Sequence, residues 1–102
     1  MYQFTAKRPN EQEIFGFDFT AQLATGEIIN PTPTVTATVL SGNDPSPQNI
    51  VSGTATIKAG KVSQLIVGGV DGETYQLVCQ IVTSLGQRLE AVGSLKISDS
   101  VV

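Results

Sequence analysis

From Gly68 to Ile97 the chain spells out a turn, a strand, a tight turn and a returning strand, and this segment limits the fold more than any other. Tyr75, Leu77, Cys79, Ile81 and Thr83 share one face of a period-two strand, while Gln76, Val78, Gln80 and Val82 share the other. The first face is the predicted inner one. If Ser84-Leu85-Gly86 forms the loop, its third position takes a left-handed backbone, which glycine adopts without steric cost. Thr83 then faces Gln87, and the register sets Ile81 opposite Leu89, Cys79 opposite Ala91, Leu77 opposite Gly93 and Tyr75 opposite Leu95. A shorter loop would slip the register by one and turn Arg88 and Glu90 toward the core, so the longer loop is expected.

The rest of the chain repeats the theme. Runs of Val, Ile, Thr and Phe are broken by Gly, Pro, Asn, Asp and Ser at intervals of roughly 8 to 12 residues, the spacing of a sandwich or barrel. Strands are predicted over 2–7, 13–20, 34–40, 50–58 and 62–67, the last two joined across Ala59-Gly60-Lys61. In the second of these, Phe15, Phe17 and Phe19 alternate with Gly16 and Asp18 and form the expected centre of the core. Asn30-Pro31-Thr32-Pro33 belongs at an edge or a strand entrance, because proline donates no ladder hydrogen bond. No helix is expected. With the closing pair the count is about seven strands, which defines an all-β, immunoglobulin-like antiparallel β-sandwich, read as a single domain over 1–102. Tyr75, just after Asp71-Gly72-Glu73-Thr74, fits a tyrosine corner with its hydroxyl on nearby backbone, or a plain core tyrosine with its hydroxyl at the surface.

Little along the chain points to chemistry. There is no histidine, which removes the commonest general base and metal ligand and leaves every serine without its usual activator. No EF-hand spacing surrounds Asn43-Asp44, and Gly68-Gly69 and Gly72 lack the strand-to-helix setting of a phosphate loop. The carboxylates read as solvated surface groups. No enzyme activity, catalytic residue, metal or cofactor is expected. Cys79, the single cysteine, lies on the predicted inner face, as a small apolar residue or as a reactive thiol. A net charge of -3 with scattered Lys and Arg argues against a nucleic-acid partner. No run approaches the roughly 20 apolar residues of a membrane span, and the start lacks a signal-peptide pattern, so synthesis in a cytosol is expected.

The outward face of the closing hairpin is the candidate interface. Its register pairs Val78 with Val92 and brings Val82 alongside Arg88, ringed by Gln76, Gln80, Glu90 and Ser94. These valines are either a packing surface for another protein or simply good strand formers. The tail 98–102 ends in two valines and reads as frayed or docked on a neighbour.

Taken in order, several segments resemble a group of small tailed-phage virion proteins, the fibre-tail adaptors. They are Phe4 to Glu13 with Lys7 and Pro9, then Phe17-Asp18-Phe19-Thr20-Ala21-Gln22-Leu23, Gly26-Glu27-Ile28-Ile29, Gly72-Glu73-Thr74-Tyr75-Gln76-Leu77 and Thr83-Ser84-Leu85-Gly86-Gln87. The chain departs at Phe19, where such proteins tend to carry tryptophan. The resemblance implies a non-enzymatic virion component, made in the host cytoplasm, that joins tail and tail fibres, contacts other virion proteins and forms a homo-oligomer in the particle. It leaves a head decoration protein open as a neighbouring reading. The reading from another class is a carbohydrate-binding or adhesive immunoglobulin-like module, disfavoured because most of the aromatic residues are expected inside.

Overall fold

The computed structural model describes residues 1–99. Seven strands form: β1 (Tyr2–Gln3), β2 (Glu13–Asp18), β3 (Thr34–Ser41), β4 (Val51–Lys58), β5 (Lys61–Ile66), β6 (Thr74–Val82) and β7 (Arg88–Lys96). They make a four-stranded sheet in the order β1-β7-β6-β3 and a three-stranded sheet in the order β2-β5-β4. Alternate side chains of both sheets turn inward, so Phe15 and Phe17 of β2, Val62 and Ile66 of β5 and Tyr75, Leu77, Cys79 and Ile81 of β6 share one apolar cluster. The result is the all-β sandwich that period-two patterning predicts.

The closing hairpin has the expected register, with Tyr75 opposite Leu95, Leu77 opposite Gly93, Cys79 opposite Ala91 and Ile81 opposite Leu89. Its loop is tied by Thr83 N–H to Gln87 C=O at 2.9 Å and Gly86 N–H to Thr83 C=O at 2.9 Å, and Gly86 sits at φ 84°. Phe15, Phe17 and Phe19 are all buried, and Phe4 adds a fourth ring. Phe4 meets Phe15 and Phe17 edge-on at 5.2 and 5.6 Å. Its ring lies directly over Gly93, where an added Cβ would come within 2.3 Å of it. A glycine inside β7 is therefore a seat for an aromatic ring from another strand.

The structure corrects several expectations. The sandwich is not wholly antiparallel, because β1 runs parallel to β7, with Tyr2 opposite Gly93. The first strand is only two residues long; beyond it the chain touches β7 through Phe4 N–H to Ser94 C=O, and Lys7 forms an isolated bridge with Ile97 just past the end of β7. Two short 3-10 turns, Thr20–Gln22 and Pro47–Ile50, stand where no helix was expected. The first ends β2 early, since the Asp18 carboxylate accepts from the Thr20 N–H at 2.9 Å and the Thr20 hydroxyl at 2.7 Å and so turns the chain. The second takes Ile50 out of β4. The β4–β5 loop has two residues rather than three, with Ala59 at φ 50° and Gly60 at φ 80°, the geometry of a tight hairpin turn. Along β4 the register shifts between Ser52 and Thr56, around Gly53 at φ 73°. The two valines ending the tail lie outside the described residues.

Candidate interaction face

The outward face of the four-stranded sheet is built in rows that cross three strands. Thr36 of β3 stands opposite Val78 of β6, which stands opposite Val92 of β7. One row toward the hairpin tip, Thr34, Gln80 and Glu90 align, and one row the other way, Thr38, Gln76 and Ser94. Val78 and Val92 are half-buried, while Val82 and its opposite residue Arg88 are exposed. Glu90 is exposed and accepts a hydrogen bond from the Gln80 side-chain amide. The five hairpin residues named from the sequence therefore stand on one surface, which is rich in threonine, glutamine and valine, with Arg88 and Glu90 near the tip and Lys96 at the far end.

Sequence reasoning missed the extension of this face. Thr34, Thr36 and Thr38 alternate with apolar residues and so share one side of a strand, but nothing local in the sequence says that β3 pairs with β6 and adds that side to the valine pair. A shallow groove of about 800 Å³ borders the face near the tip, between Asn30, Pro31 and Thr32 on one side and Val82, Arg88 and Glu90 on the other. Thr32 stands at its rim with φ 69°, a backbone region unusual for a β-branched residue, between two prolines.

Ionisable groups elsewhere are engaged in holding loops. Glu27, buried in its turn, accepts from the Thr83 hydroxyl, the Ala24 N–H at 2.8 Å and the Gln87 amide at 2.8 Å. Those donors hold its carboxyl below the usual range, the Thr83 hydroxyl foremost. At the opposite end the Tyr75 hydroxyl donates to Asp44 at 2.7 Å and accepts from the Val70 N–H at 3.1 Å. Burial, with the Asp44 carboxylate beside it, pushes the Tyr75 phenol up to about 12. Tyr75 thus combines a backbone contact five residues upstream with a carboxylate partner that the sequence did not reveal. Lys7 is fully buried, its ammonium donating to Arg8 C=O at 2.7 Å and Gly68 C=O at 2.6 Å, and burial lowers its pKa. Cys79 is fully buried and its thiol is pushed up to about 12, which keeps it protonated and unreactive at neutral pH. Among the described residues no group of three or more His, Cys, Asp or Glu side chains gathers as a metal site would require. No helix among them is long and apolar enough to cross a membrane.

Several of its ionisable groups hold the molecule's own loops, and the four-stranded sheet presents a broad outward surface. A sequence-family model described as podophage GP4 fiber-tail adaptor protein gp77 matches residues 7–96, and the chain belongs to that family of phage virion proteins. The match runs from the buried Lys7 to the last residue of β7. A comparison with curated proteins finds no match.

Proposed function

We propose that the chain is a non-enzymatic virion protein, a single immunoglobulin-like domain that joins tail and tail fibres through protein–protein contacts. The observation that carries this reading is the family match over residues 7–96. The strand order supports the domain type: the second, fifth and fourth strands in one sheet oppose the third, sixth and seventh in the other, as in an immunoglobulin-type Greek key. The unpaired, buried Cys79 suits synthesis in the reducing host cytoplasm.

The docking surface in this reading is the outward face around Val78 and Val92, with Val82, Arg88 and Glu90 at its margin. A surface low in charge with a valine centre and a polar surround has the make-up of an interface core and rim. Repeated around the tail, the same face supports a homo-oligomer as well as contacts with fibre or tail proteins.

The test is the double variant Val78→Lys with Val92→Lys, since both side chains point away from the core. The expected result is a monomer that unfolds cooperatively but is missing from purified particles by mass spectrometry. Incorporation at the wild-type ratio to the other tail proteins would remove this face from the assembly.

A further inference from the structure

The two sheets end in four edges, and three of them carry a feature that obstructs the addition of another strand. On β3 the Gln48 side-chain amide already occupies the edge, accepting from the Ala37 N–H at 2.8 Å and donating to the Val35 C=O at 3.1 Å. On β4 the ladder is broken by the irregularity between Ser52 and Thr56. β1 is two residues long and offers almost no edge. Only β2 is regular throughout: Glu13 to Asp18 pair without a shift against β5, and the strand contains no proline, no lysine and no bulge.

The free groups of β2 can be assigned. Phe19 N–H bonds to Gly60 C=O at 3.0 Å, so the odd-numbered residues of this strand face β5, and the N–H and C=O groups of Ile14, Gly16 and Asp18 face away from it. Ile14 is 70 % exposed, the largest exposure of a large apolar side chain on any strand among the described residues. Beside the edge lies a trough of about 310 Å³ lined by Tyr2, Phe4, Gly16, Phe17, Ala91 and Val92. A strand laid along β2 would complete its ladder and drop alternate side chains into this trough.

We propose that the β2 edge accepts an extended strand from another protein, a segment of alternating apolar residues with a basic residue near Asp18. The two registers that pair the most of β2 with itself disfavour a second copy as occupant. Antiparallel self-pairing centred on Gly16 keeps the two inner faces together but sets the Asp18 carboxylate opposite the exposed Ile14 twice over. A slip of one residue brings Glu13 opposite Asp18 and turns the buried rings outward. The acidic ends of β2 instead complement Lys or Arg on the incoming strand. The trough meets the outward valine face at Val92, but the proposal does not depend on the adaptor reading.

The test uses the whole chain and, as probe, a synthetic peptide of alternating valine and threonine flanked by lysines, with amide exchange followed by NMR. The expected result is slowed exchange at Ile14, Gly16 and Asp18 on adding peptide, with Val35 and Ala37 unchanged. Gly16→Pro removes an outward N–H at a position where an added Cβ meets only the Val62 carbonyl, at 4.0 Å, so it should leave the fold intact and weaken peptide binding at least tenfold. Gly16→Val keeps the N–H and should retain binding, which separates loss of the donor from loss of glycine. No protection of β2 at millimolar peptide, or equal binding by Gly16→Pro, overturns the proposal. A concentration-dependent dimer abolished by Gly16→Pro overturns the choice of occupant.

Discussion

The two ends of the sandwich are closed by the same kind of bond, a hydroxyl donating to a carboxylate, yet they are built differently. At the hairpin end the carboxylate is the hub: Glu27 gathers the Thr83 hydroxyl, the Gln87 amide and its own turn's Ala24 N–H. At the other end the hydroxyl is the hub: Tyr75 reaches out of the core to Asp44 and Val70, and Glu73 binds the Asp44 N–H at 2.9 Å. One end is therefore tied by a charge with several replaceable donors. The other depends on a single oxygen held at one position by a fully buried ring. Losses at the second end should be harder to compensate.

The sharpest break of that symmetry is Tyr75→Phe. The ring remains, but the Val70 N–H and the Asp44 carboxylate lose a partner in a partly dry site, so stability should fall by about 2 to 3 kcal/mol. Urea unfolding with an unchanged m-value measures it. A loss under 0.5 kcal/mol would mean that water replaces the hydroxyl and that the tyrosine end is no more demanding than the hairpin end.

A smaller effect is expected from Gly86→Val at the hairpin tip. An added Cβ at Gly86 has nothing within 4 Å, so the cost is backbone strain at φ 84° alone, about 1 to 2 kcal/mol. Thermal melting compared with Gly86→Asn, which tolerates the left-handed region, separates strain from loss of flexibility. Equal melting temperatures for the two variants would show that the loop changes type.

The contrast also marks what the sequence could reveal. Period-two alternation fixed the faces of β2, β3, β6 and β7, and the position of Gly86 set the hairpin register, because both signals lie within a few residues of one another. Glu27 and Asp44 looked like solvated carboxylates, since their partners lie 56 and 31 residues away and only the completed fold brings them together. The same holds for Lys7, whose charge counted among scattered surface cations but whose ammonium is held by Gly68 across the sandwich. Gln48 and Gln64 were silent for a related reason. Each satisfies backbone groups that exist only because a particular strand is an edge or carries a bulge; Gln64 donates to Ser52 C=O at 2.7 Å beside the irregular part of β4. The valine pair was legible because it sits inside one hairpin, while the threonine row that widens the face came from β3, paired across a long connection.

The mildest perturbation sharpens the comparison through pH. Glu27 is held below its ordinary value near 4.5 by the Thr83 hydroxyl first, then the Ala24 N–H and the Gln87 amide. A carboxylate whose folded pKa is depressed adds stability that is fully present above the unfolded value and is lost as pH falls through the folded one. Glu27→Gln removes the charge but keeps an oxygen that can accept one of the three donors. Its melting temperature should therefore lie below that of the unmodified chain at pH 7, and the gap should narrow steadily as pH falls below the usual carboxylate range. Asp44 is depressed in the same direction, chiefly by Tyr75, so the unmodified chain also loses stability from the other end over the same range. Combining Glu27→Gln with Tyr75→Phe separates the two, because the ends share no partner and their effects should add. A gap between Glu27→Gln and the unmodified chain that stays constant from pH 7 to pH 3 would show that the carboxylate's charge is irrelevant and that the hairpin end, like the tyrosine end, is held by geometry alone.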